Sequence, residues 1–399
     1  MTFKGMELFE YQKKAANKLI ESRGYLLAYQ MGLGKTIIAL EAARLINKTT
    51  LVVAPAFMKR TWEKTIEDFF PSIKSIEVVS WNSLKDISQT PHVLIFDESH
   101  YMKNPTAIRS KTALKLCSEV HKNFGHVWLL SGTPAKNTSA ELWTQFRAIN
   151  QVKDLTYINF AEKFSKVTSV KYGGKNSRPV KKYYGIQNAL ELREMYAPFM
   201  EVLKTEQVLE LPQQIKSYIY NDCSVFSEED IQSFKLDMDA AAKSKHFSTL
   251  KALQAKMNVK PTISKVKDLL DEFPNKKIVV FTDHLDTADE LSRAFECHKI
   301  TGQVGMDKRS DIIEDFKENS SILVCTVGAA GVGLNLQFAN IMIFNDLPWV
   351  PGDLAQAEKR IHRIGQTDKC YYFYVLDTGL GALIYKVLVS KIQTLKEIA

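Results

Sequence analysis

The chain has 399 residues, 45% of them hydrophobic and 25% charged, which excludes an intrinsically disordered chain and predicts two domains. Its formal net charge of +8 fits a polyanionic partner, but it also fits many basic proteins that bind no nucleic acid. The five cysteines are scattered and form no C-x-x-C pair, which predicts a reducing cytoplasm and neither disulfides nor a zinc site. The sequence shows no long apolar run and no signal peptide, so no membrane span is expected.

Apolar β-branched runs alternate with helical patterns in the first part of the chain. This alternation is typical of a parallel sheet that is covered by helices on both faces. The predicted strands are 24–29, 51–56, 93–97 and 127–131, and the predicted helices between them are 37–46 and 106–120.

The same alternation returns after about residue 277, which predicts a second α/β lobe. Its predicted strands are 277–283, 321–326, 341–346 and 371–376, with helices at 286–297 and 308–317. The region between the lobes is polar and helical in pattern, with one candidate strand at 215–220. The predicted domains are lobe 1 (1–212, with a helical protrusion from about 150), a linker with a second helical protrusion (213–262) and lobe 2 (263–399).

Strand 24–29 is followed directly by the sequence MGLGKT (31–36) and then by a helix. This is the context of a phosphate-binding loop, although Tyr29 stands where that motif has its first glycine. Backbone N–H groups would face the phosphates, Lys35 would reach the β and γ oxygens, and the Thr36 hydroxyl would bind Mg²⁺. Taken alone, the segment also fits a glycine-rich turn with an exposed lysine.

The sequence VLIFDESH places Asp97 and Glu98 at the end of a buried strand. Asp97 is suited to hold Mg²⁺, and Glu98 to orient and deprotonate an attacking water. An acidic pair after a strand is common and can cap a helix. Because it follows a Lys-Thr loop in neighbouring βαβ units, the pair indicates a nucleotide site.

With these motifs the chain resembles the Snf (sucrose-nonfermenting, chromatin-remodeller type) family of superfamily-two helicase-like DNA translocases. Residues 97–100 resemble its DEAH-type box, and 31–36 its MGLGKT loop. LVVAPAFMKRTWEKTIEDFFP, VVSWNSL and LLSGTPAKNTSAELW resemble motifs Ia, Ib and III, while KIVVFTDHLDTADELSRAF and CTVGAAGVGLNLQFANIMIFNDLPW resemble motifs IV and V. DLAQAEKRIHRIGQ is similar to motif VI almost letter for letter. The DESH box and compact chain are similar to the fork-remodelling, annealing-helicase branch.

The resemblance implies an α/β fold of two RecA-like parallel-sheet lobes with helical protrusions between them, and the cofactors ATP and Mg²⁺. The implied catalytic residues are Lys35, Asp97, Glu98, Arg360 and Arg363, the two arginines acting as fingers on one face if their segment is helical. The implied nucleotide contacts are Gln12 (to adenine), Met31, Gly32, Leu33, Gly34, Lys35, Thr36, Gly333 and Gln356, with Mg²⁺ on Thr36 and Asp97.

Nucleic-acid contacts are expected at two kinds of residue. The resemblance implies phosphate contacts at Pro55, Ser131, Gly132, Thr133, Thr326, Gly331 and Asn335. Residues 165–185 add six basic side chains, three tyrosines and no acidic residue, so Lys181 and Lys182 are candidates for an additional backbone clamp. A solvated loop explains the same composition equally well.

The chain departs from the family pattern at three places, none of which is an implied catalytic residue. Tyr29-Gln30 occupies the place of the usual Asp-Glu, Glu201-Val202 that of an Arg-Arg pair, and Val350 that of the Asn in WNP. The second of these is expected to bear on coupling between the lobes.

The predicted function is a DNA-stimulated ATPase that translocates on duplex DNA in repair or replication, with remodelling of forks or branched DNA as an outcome. Two alternatives remain open: a strand-separating DNA or RNA helicase, and a nucleotide-gated DNA-binding scaffold without significant turnover. The protein is expected to be a monomer with no membrane partner. Its compact chain predicts the cytoplasm of a bacterial cell or a virus-infected bacterial cell, in association with the nucleoid.

Overall fold

The computed structural model describes residues 2–3, 6–170, 179–236, 244–330, 334–379, 381–386 and 388–389. The chain forms two compact units, one over Met1–Val208 and the other over Leu209–Ile392. The predicted finer division, with a linker and protrusion over 213–262, stays a prediction.

The first unit is built on a six-stranded parallel sheet with the strand order β10-β3-β7-β6-β4-β5. The strands of this unit are β1 (Thr2–Phe3), β2 (Met6–Glu7), β3 (Gly24–Tyr29), β4 (Thr50–Ala54), β5 (Ile76–Ser80), β6 (Val93–Asp97), β7 (His126–Leu130), β8 (Lys166–Val170), β9 (Val180–Tyr184) and β10 (Met200–Leu203). Its α-helices are Glu10–Glu21, Lys35–Ile46, Lys59–Phe69, Ile108–Lys122, Leu142–Ala148, Tyr157–Phe164 and Ala189–Tyr196.

The second unit contains another six-stranded parallel sheet, with the order β11-β16-β15-β12-β14-β13. Its strands are β11 (Gln214–Asn221), β12 (Ile278–Thr282), β13 (Lys299–Ile300), β14 (Ile322–Thr326), β15 (Ile341–Phe344) and β16 (Cys370–Asp377). Its α-helices are Glu228–Leu236, Lys245–Met257, Val259–Glu272, Leu285–Ala294, Met306–Glu318, Val327–Ala330 and Pro351–Glu358.

Both faces of each central sheet are buried, which explains why the strand sequences are continuously apolar. Strands β4, β6, β12 and β14 are buried at every position. In the second unit, alternate residues of one strand enter separate cores: Val279 and Phe281 pack on one face, while Ile278 and Val280 pack on the other. The predicted α/β fold class of two RecA-like parallel-sheet lobes is confirmed.

The region predicted as a helical protrusion differs from the expectation in detail. After the helix Tyr157–Phe164 the chain forms an antiparallel hairpin of β8 and β9, and then β10 joins the edge of the first sheet. The hairpin strands are largely exposed and β10 has only four residues, so neither shows the apolar run that identifies a buried strand. The candidate strand at 215–220 is present as β11.

Within the described residues, no helix has both the length and the apolar character that crossing a membrane requires.

Candidate nucleotide-binding site

Three motifs of the first unit meet at one edge of its sheet. Strands β3, β7 and β6 are parallel neighbours, so their carboxyl ends lie side by side. The MGLGKT loop follows β3, the Ser131–Thr133 segment follows β7, and Asp97 ends β6. Ligands of open α/β sheets bind at this edge.

The loop after β3 depends on two glycines with positive φ. Gly32 has φ 89° and Gly34 has φ 77°, a region that residues with a side chain rarely adopt. A Cβ on Gly34 would also lie 2.3 Å from Nε2 of Gln12. Gly34 is the N-cap of the helix Lys35–Ile46, and the N–H groups of a first helical turn can bind an anion.

Lys35 connects the start of the loop with the segment after β7. Its ammonium group donates to the carbonyl oxygen of Tyr29 at 2.7 Å and lies 3.4 Å from that of Gln30. A Cβ on Gly132 would be 3.7 Å from the same Nζ atom. The predicted phosphate-binding lysine therefore lies between two of the three motifs.

Gln12 reaches the loop from the helix Glu10–Glu21. Its Nε2 donates to the carbonyl oxygen of Leu33 at 3.3 Å, and its Oε1 accepts from the N–H of Phe9 at 3.1 Å. The Tyr11 hydroxyl donates to the same Leu33 oxygen at 3.2 Å. The sequence segment that resembles the adenine-reading element thus packs directly on the phosphate-loop segment.

Asp97 is a buried carboxylate held by two donors. The indole Nε1 of Trp62 donates to Oδ2 at 2.8 Å, and the N–H of Glu98 donates to Oδ1 at 3.0 Å. Burial, reinforced by the negative charge of Glu98, raises the pKa of Asp97 to about 6, although Trp62 and Lys35 oppose the shift.

Glu98 has a left-handed backbone conformation, with φ 49° and ψ 53°. Its Oε2 lies 3.2 Å from Nδ1 of His100 and makes no hydrogen bond within the described chain. Burial acts to raise the pKa of Glu98, but His100, Lys35 and Lys136 outweigh it and lower the pKa to about 2. Two adjacent carboxyl groups are thereby shifted in opposite directions.

Two buried contacts connect the acidic box with the segment after β7. Nδ1 of His100 lies 3.2 Å from the Ser131 hydroxyl, which accepts from the N–H of Thr133 at 3.2 Å. The Gln145 amide accepts from the Ser99 hydroxyl at 2.7 Å and donates to the carbonyl oxygen of Pro134 at 2.6 Å. Side-chain hydrogen bonds thus join the two segments directly.

The residues at this edge fit a divalent cation. Each oxygen of Asp97 accepts one hydrogen bond, which leaves lone pairs for a metal, and a cation would offset the burial and the repulsion from Glu98 that raise its pKa. Over the described residues, no three His, Cys, Asp or Glu side chains are grouped to form a metal cage. Mg²⁺ is commonly held by one or two carboxylates together with phosphates of the substrate, which suits this arrangement.

The residues predicted in the second unit are spread over three segments. Thr326 ends β14 and is buried, Asn335 is exposed, and Gln356 is part of the helix Pro351–Glu358. Gly331 and Gly333 lie outside the described residues.

The two motif VI arginines do not lie on a helix. The helix ends at Glu358, and Arg360 and Arg363 follow it in turns, so the expectation of one helical face does not apply. Arg360 is only 3% exposed, and burial lowers the pKa of Arg363, which stays a cation. In the part of the second unit that the structure describes, no carboxylate pairs with Arg363.

Glu358 is a site-related residue that sequence reasoning missed. Lys216 of β11 donates to both of its carboxylate oxygens, at 2.8 and 2.9 Å, and the Tyr374 hydroxyl donates at 2.5 Å. The Tyr372 hydroxyl donates to its carbonyl oxygen at 3.0 Å. These contacts fix the end of the motif VI helix. The contact of Trp62 with Asp97 was missed as well. In both cases the contacting residues are far apart in sequence, so no local motif indicates the contact.

Two departures from the family pattern are neighbours in space, because β10 pairs with β3. The Tyr29 hydroxyl donates to Glu201 at 2.5 Å, and Lys18 donates to the same carboxylate at 2.6 Å. The Gln30 side-chain oxygen accepts from the N–H of Thr205 at 2.8 Å. The residues at these positions therefore contact each other or the adjoining segment directly.

The residues predicted to contact nucleic acid lie on different elements. Pro55 follows β4 and precedes the 3₁₀ helix Ala56–Met58. Lys181 and Lys182 are on β9, and Lys181 is paired with Glu162.

Comparison with protein-family models gives three matches. The SNF2-related domain model matches residues 73–272, half of the chain, and the helicase conserved C-terminal domain model matches 262–365. The model for the res subunit of type III restriction enzymes matches 5–90.

The curated relatives are longer proteins. A Caenorhabditis elegans homolog of SWI/SNF-related matrix-associated actin-dependent regulator of chromatin subfamily A-like protein 1 is 29% identical, over 92% of this chain and 58% of its own length. The Xenopus tropicalis protein of that name is 29% identical, over 98% of the chain and 45% of its length. The mouse DNA annealing helicase and endonuclease ZRANB3 is 28% identical, over 92% and 38%. The chain spans about half the length of these relatives.

One solved structure with a similar chain is the Sulfolobus solfataricus SWI2/SNF2 ATPase core in complex with double-stranded DNA. It is 23% identical and covers 98% of this chain and 93% of its own, with a TM-score of 0.44.

The relatives correct the predicted location. They come from worm, frog, mouse, cattle, human and fly, and their names describe chromatin regulators and DNA annealing helicases. These relatives are all eukaryotic proteins, so the prediction of a bacterial or virus-infected bacterial cytoplasm is wrong. Chain size, on which that prediction rested, does not distinguish cell types. On its family-model match and its motifs, the chain belongs to the SNF2-related family of helicase-like proteins.

Proposed function

We propose that the protein is a DNA-stimulated ATP hydrolase that translocates on duplex DNA and remodels forks or branched DNA. The observation that carries the proposal is the meeting of the MGLGKT loop, Asp97-Glu98 and the Ser131 segment at one sheet edge. Membership of the SNF2-related family implies nucleotide use, and the second unit supplies the matched helicase C-terminal domain.

In this proposal the nucleotide phosphates bind at the start of the helix Lys35–Ile46. Lys35 leaves the carbonyl oxygen of Tyr29 for the β and γ oxygens, and Gln12 contacts the adenine. Thr36 and Asp97 hold Mg²⁺, which supplies positive charge that neutralises the phosphate oxygens. The remaining loop contacts come from Met31, Gly32, Leu33 and Gly34.

Glu98 orients the attacking water. With a pKa of about 2 its carboxylate is ionised at neutral pH and accepts a hydrogen bond from water. It also accepts the proton that the water loses as it attacks the phosphoryl group. The contact between its neighbour His100 and Ser131 ties that position to the segment after β7.

Motif VI completes the reaction in this proposal. Arg360 and Arg363 stabilise the charge that develops on the transferring phosphoryl group, and Gln356 and Gly333 contribute to nucleotide binding. Glu358 is a positioning residue, because Lys216 and Tyr374 fix the end of the helix from which both arginines follow.

The DNA contacts are proposed at phosphates, which carry no sequence information and suit movement along any DNA. Support comes from the net charge of +8 and from relatives named as DNA annealing helicases. The protein acts as a monomer. The proposed contact residues are Pro55, Ser131, Gly132, Thr133, Thr326, Gly331, Asn335, Lys181 and Lys182.

The test is the steady-state rate of ATP hydrolysis without nucleic acid and with single-stranded, duplex, forked and RNA cofactors. We expect strong stimulation by duplex or forked DNA and little by RNA. Absence of hydrolysis under every condition would favour the scaffold alternative. A strand-displacement assay on the same substrates distinguishes translocation from strand separation, since displacement of a blunt duplex would favour the helicase alternative.

A further inference from the structure

The β8–β9 hairpin of the first unit has two chemically different faces. Residues opposite each other in an antiparallel ladder share a face, and successive residues alternate between faces. The ladder places Val167, Ser169, Lys181 and Tyr183 on one side, termed the inward face. Lys166, Thr168, Lys182 and Tyr184 lie on the other, termed the outward face, which also carries the Val170–Val180 pair.

The inward face is held against the helix Tyr157–Phe164. The Tyr183 ring meets the Tyr157 ring edge to face, with centroids 6.0 Å apart. Lys181 forms an ion pair and a hydrogen bond with Glu162 of the same helix. The charge of Lys181 is therefore already balanced, and these contacts fix which side of the hairpin faces away from the helix.

The outward face presents an aromatic ring among cations. Lys166 and Thr168 are exposed, and Tyr184, directly opposite Lys166, is 50% exposed. Lys182 lies opposite Thr168. Side chains that are opposite in a ladder are roughly 5 Å apart and diagonal ones about 7–8 Å, so the four residues cover an area close to that of one nucleotide.

The charge of the surrounding sequence points to an anionic occupant. Residues 165–185 include six basic side chains and no acidic one, and the nearby carboxylate of Glu162 is turned to the inward face. A polyanion can therefore approach the outward face without meeting a negative charge from the hairpin sequence.

The ring of Tyr184 favours single-stranded over duplex nucleic acid as that polyanion. Aromatic side chains bind single-stranded nucleic acid by stacking on bases, with basic residues on the phosphates between them. In a duplex each base face is covered by its neighbours, so the ring has no base to stack on. The lysines alone would serve either form of DNA.

We propose that the outward face of the hairpin is a binding site for a single-stranded DNA segment. One base stacks on Tyr184, the flanking phosphates pair with Lys166 and Lys182, and the Thr168 hydroxyl donates to a phosphate oxygen. The inference rests on the proposed function, because it specifies that the first unit contacts the unpaired strand of a fork in addition to the duplex.

The test measures binding of the full chain, without nucleotide and at fixed salt, to a fluorescent oligo-dT and to a blunt duplex of equal length. We expect Tyr184→Leu to weaken oligo-dT binding by roughly fivefold to a hundredfold and duplex binding by less than about twofold. Tyr184→Phe keeps the ring, and its oligo-dT affinity is expected to equal that of the wild type.

A pair of lysines provides the matched charge control. Lys166→Gln and Lys163→Gln change the net charge equally, and Lys163 lies on the helix Tyr157–Phe164 against which the hairpin packs. We expect Lys166→Gln to weaken oligo-dT binding and to reduce the slope of log affinity against log salt by about one contact. Lys163→Gln is expected to leave both unchanged, because its charge is balanced by Glu191 and it is not among the proposed DNA contacts.

Three outcomes would overturn the inference: no oligo-dT binding by the wild type, unchanged oligo-dT affinity in Tyr184→Leu and Lys166→Gln, or equal losses on oligo-dT and duplex. Wild-type hydrolysis stimulated by duplex DNA would leave the proposed function intact in each case. Failure of that stimulation would instead count against the proposed function, whatever the hairpin variants do.

Discussion

Asp97 and Glu98 are adjacent in sequence, yet their environments shift their pKa values in opposite directions. Asp97 faces burial and a neighbouring negative charge, which raise its pKa to about 6, whereas His100 and two lysines lower that of Glu98. Opposite shifts in a carboxyl pair commonly accompany a division of roles. Here they fit a metal ligand beside a water-orienting carboxylate.

The raised pKa of Asp97 predicts a pH dependence of Mg²⁺–ATP binding. Protons and Mg²⁺ compete for the same oxygens, so we expect the apparent affinity to fall as the pH decreases through about 6. The sign for folding is opposite: without metal, Asp97 favours the folded chain at low pH, and this contribution is lost as the pH rises through about 6. Isothermal titration calorimetry at pH values from about 5 to 8, a range that brackets this pKa, measures the Mg²⁺–ATP affinity.

The control for that experiment is Asp97→Asn, which retains the titration of the nucleotide itself. We expect this variant to bind Mg²⁺–ATP weakly at every pH. The same pH dependence in the variant as in the wild type would assign the effect to the nucleotide.

Lys35→Ala and Glu98→Gln are predicted to abolish hydrolysis for different reasons. Lys35→Ala removes a phosphate contact and should weaken ATP affinity, whereas Glu98→Gln should retain ATP and lose only the activation of water, because an amide cannot accept the proton. Equilibrium binding of a fluorescent ATP analogue and single-turnover hydrolysis separate the two effects. Near-normal hydrolysis in Glu98→Gln would remove that residue from the proposed mechanism.

At the scale of elements, β3 and β10 show how the nucleotide loop is supported. Tyr29 ends β3, donates its hydroxyl to Glu201 of β10, and accepts the Lys35 ammonium on its carbonyl oxygen. The edge strand thereby determines where the loop begins.

Glu201→Ala is predicted to destabilise the first unit by about 1–3 kcal/mol, because the buried Tyr29 hydroxyl loses its acceptor. In Tyr29→Phe/Glu201→Ala the loss should be smaller than the sum of the single losses. Lys18→Met is the control and should cost under about 1 kcal/mol, because its ion pair is half-exposed. Urea unfolding followed by tryptophan emission reports chiefly on this unit, which holds Trp62, Trp81, Trp128 and Trp143. Additive losses would contradict the coupling.

The sequence predicted those elements whose own residues carry the signal. Strands β4, β6, β12 and β14 are continuously apolar, and the MGLGKT and DESH segments follow strands directly, so their positions were predictable. The β8–β9 hairpin was missed because its side chains are mostly exposed. The Trp62–Asp97 and Lys216–Glu358 contacts were missed because they join residues far apart in the chain, and only the folded sheet brings them together.

At the scale of the whole molecule, the chain combines two parallel-sheet units that have different tasks in the proposed cycle. The first holds the phosphate loop and both acidic residues, and the second holds motif VI. Hydrolysis that needs groups from both units would be tied to their motion.

Arg363→Ala is predicted to lower the turnover number by about 10³-fold or more while leaving DNA binding and most of the ATP affinity intact. A finger acts chiefly on the transition state, so the ground-state complexes should change little. DNA-stimulated hydrolysis and nucleotide binding are measured on the same preparation.

The matched control is Arg293→Ala, an exposed arginine on the helix Leu285–Ala294 of the same unit. It should hydrolyse ATP at the wild-type rate. Equal turnover in the two variants would show that Arg363 has no special role.

The sheet of the second unit joins its earliest strand to its latest one, since Gln214 of β11 pairs with Cys370 of β16. During synthesis on the ribosome, β11 emerges long before its partner exists. The backbone of β11 then stays unpaired, with Tyr218 and Tyr220 exposed, until β16 has been translated, unless a chaperone shields it. The second unit is thus expected to reach its native state only after translation of residues 370–377, and premature stop codons before that point should yield aggregation-prone nascent chains.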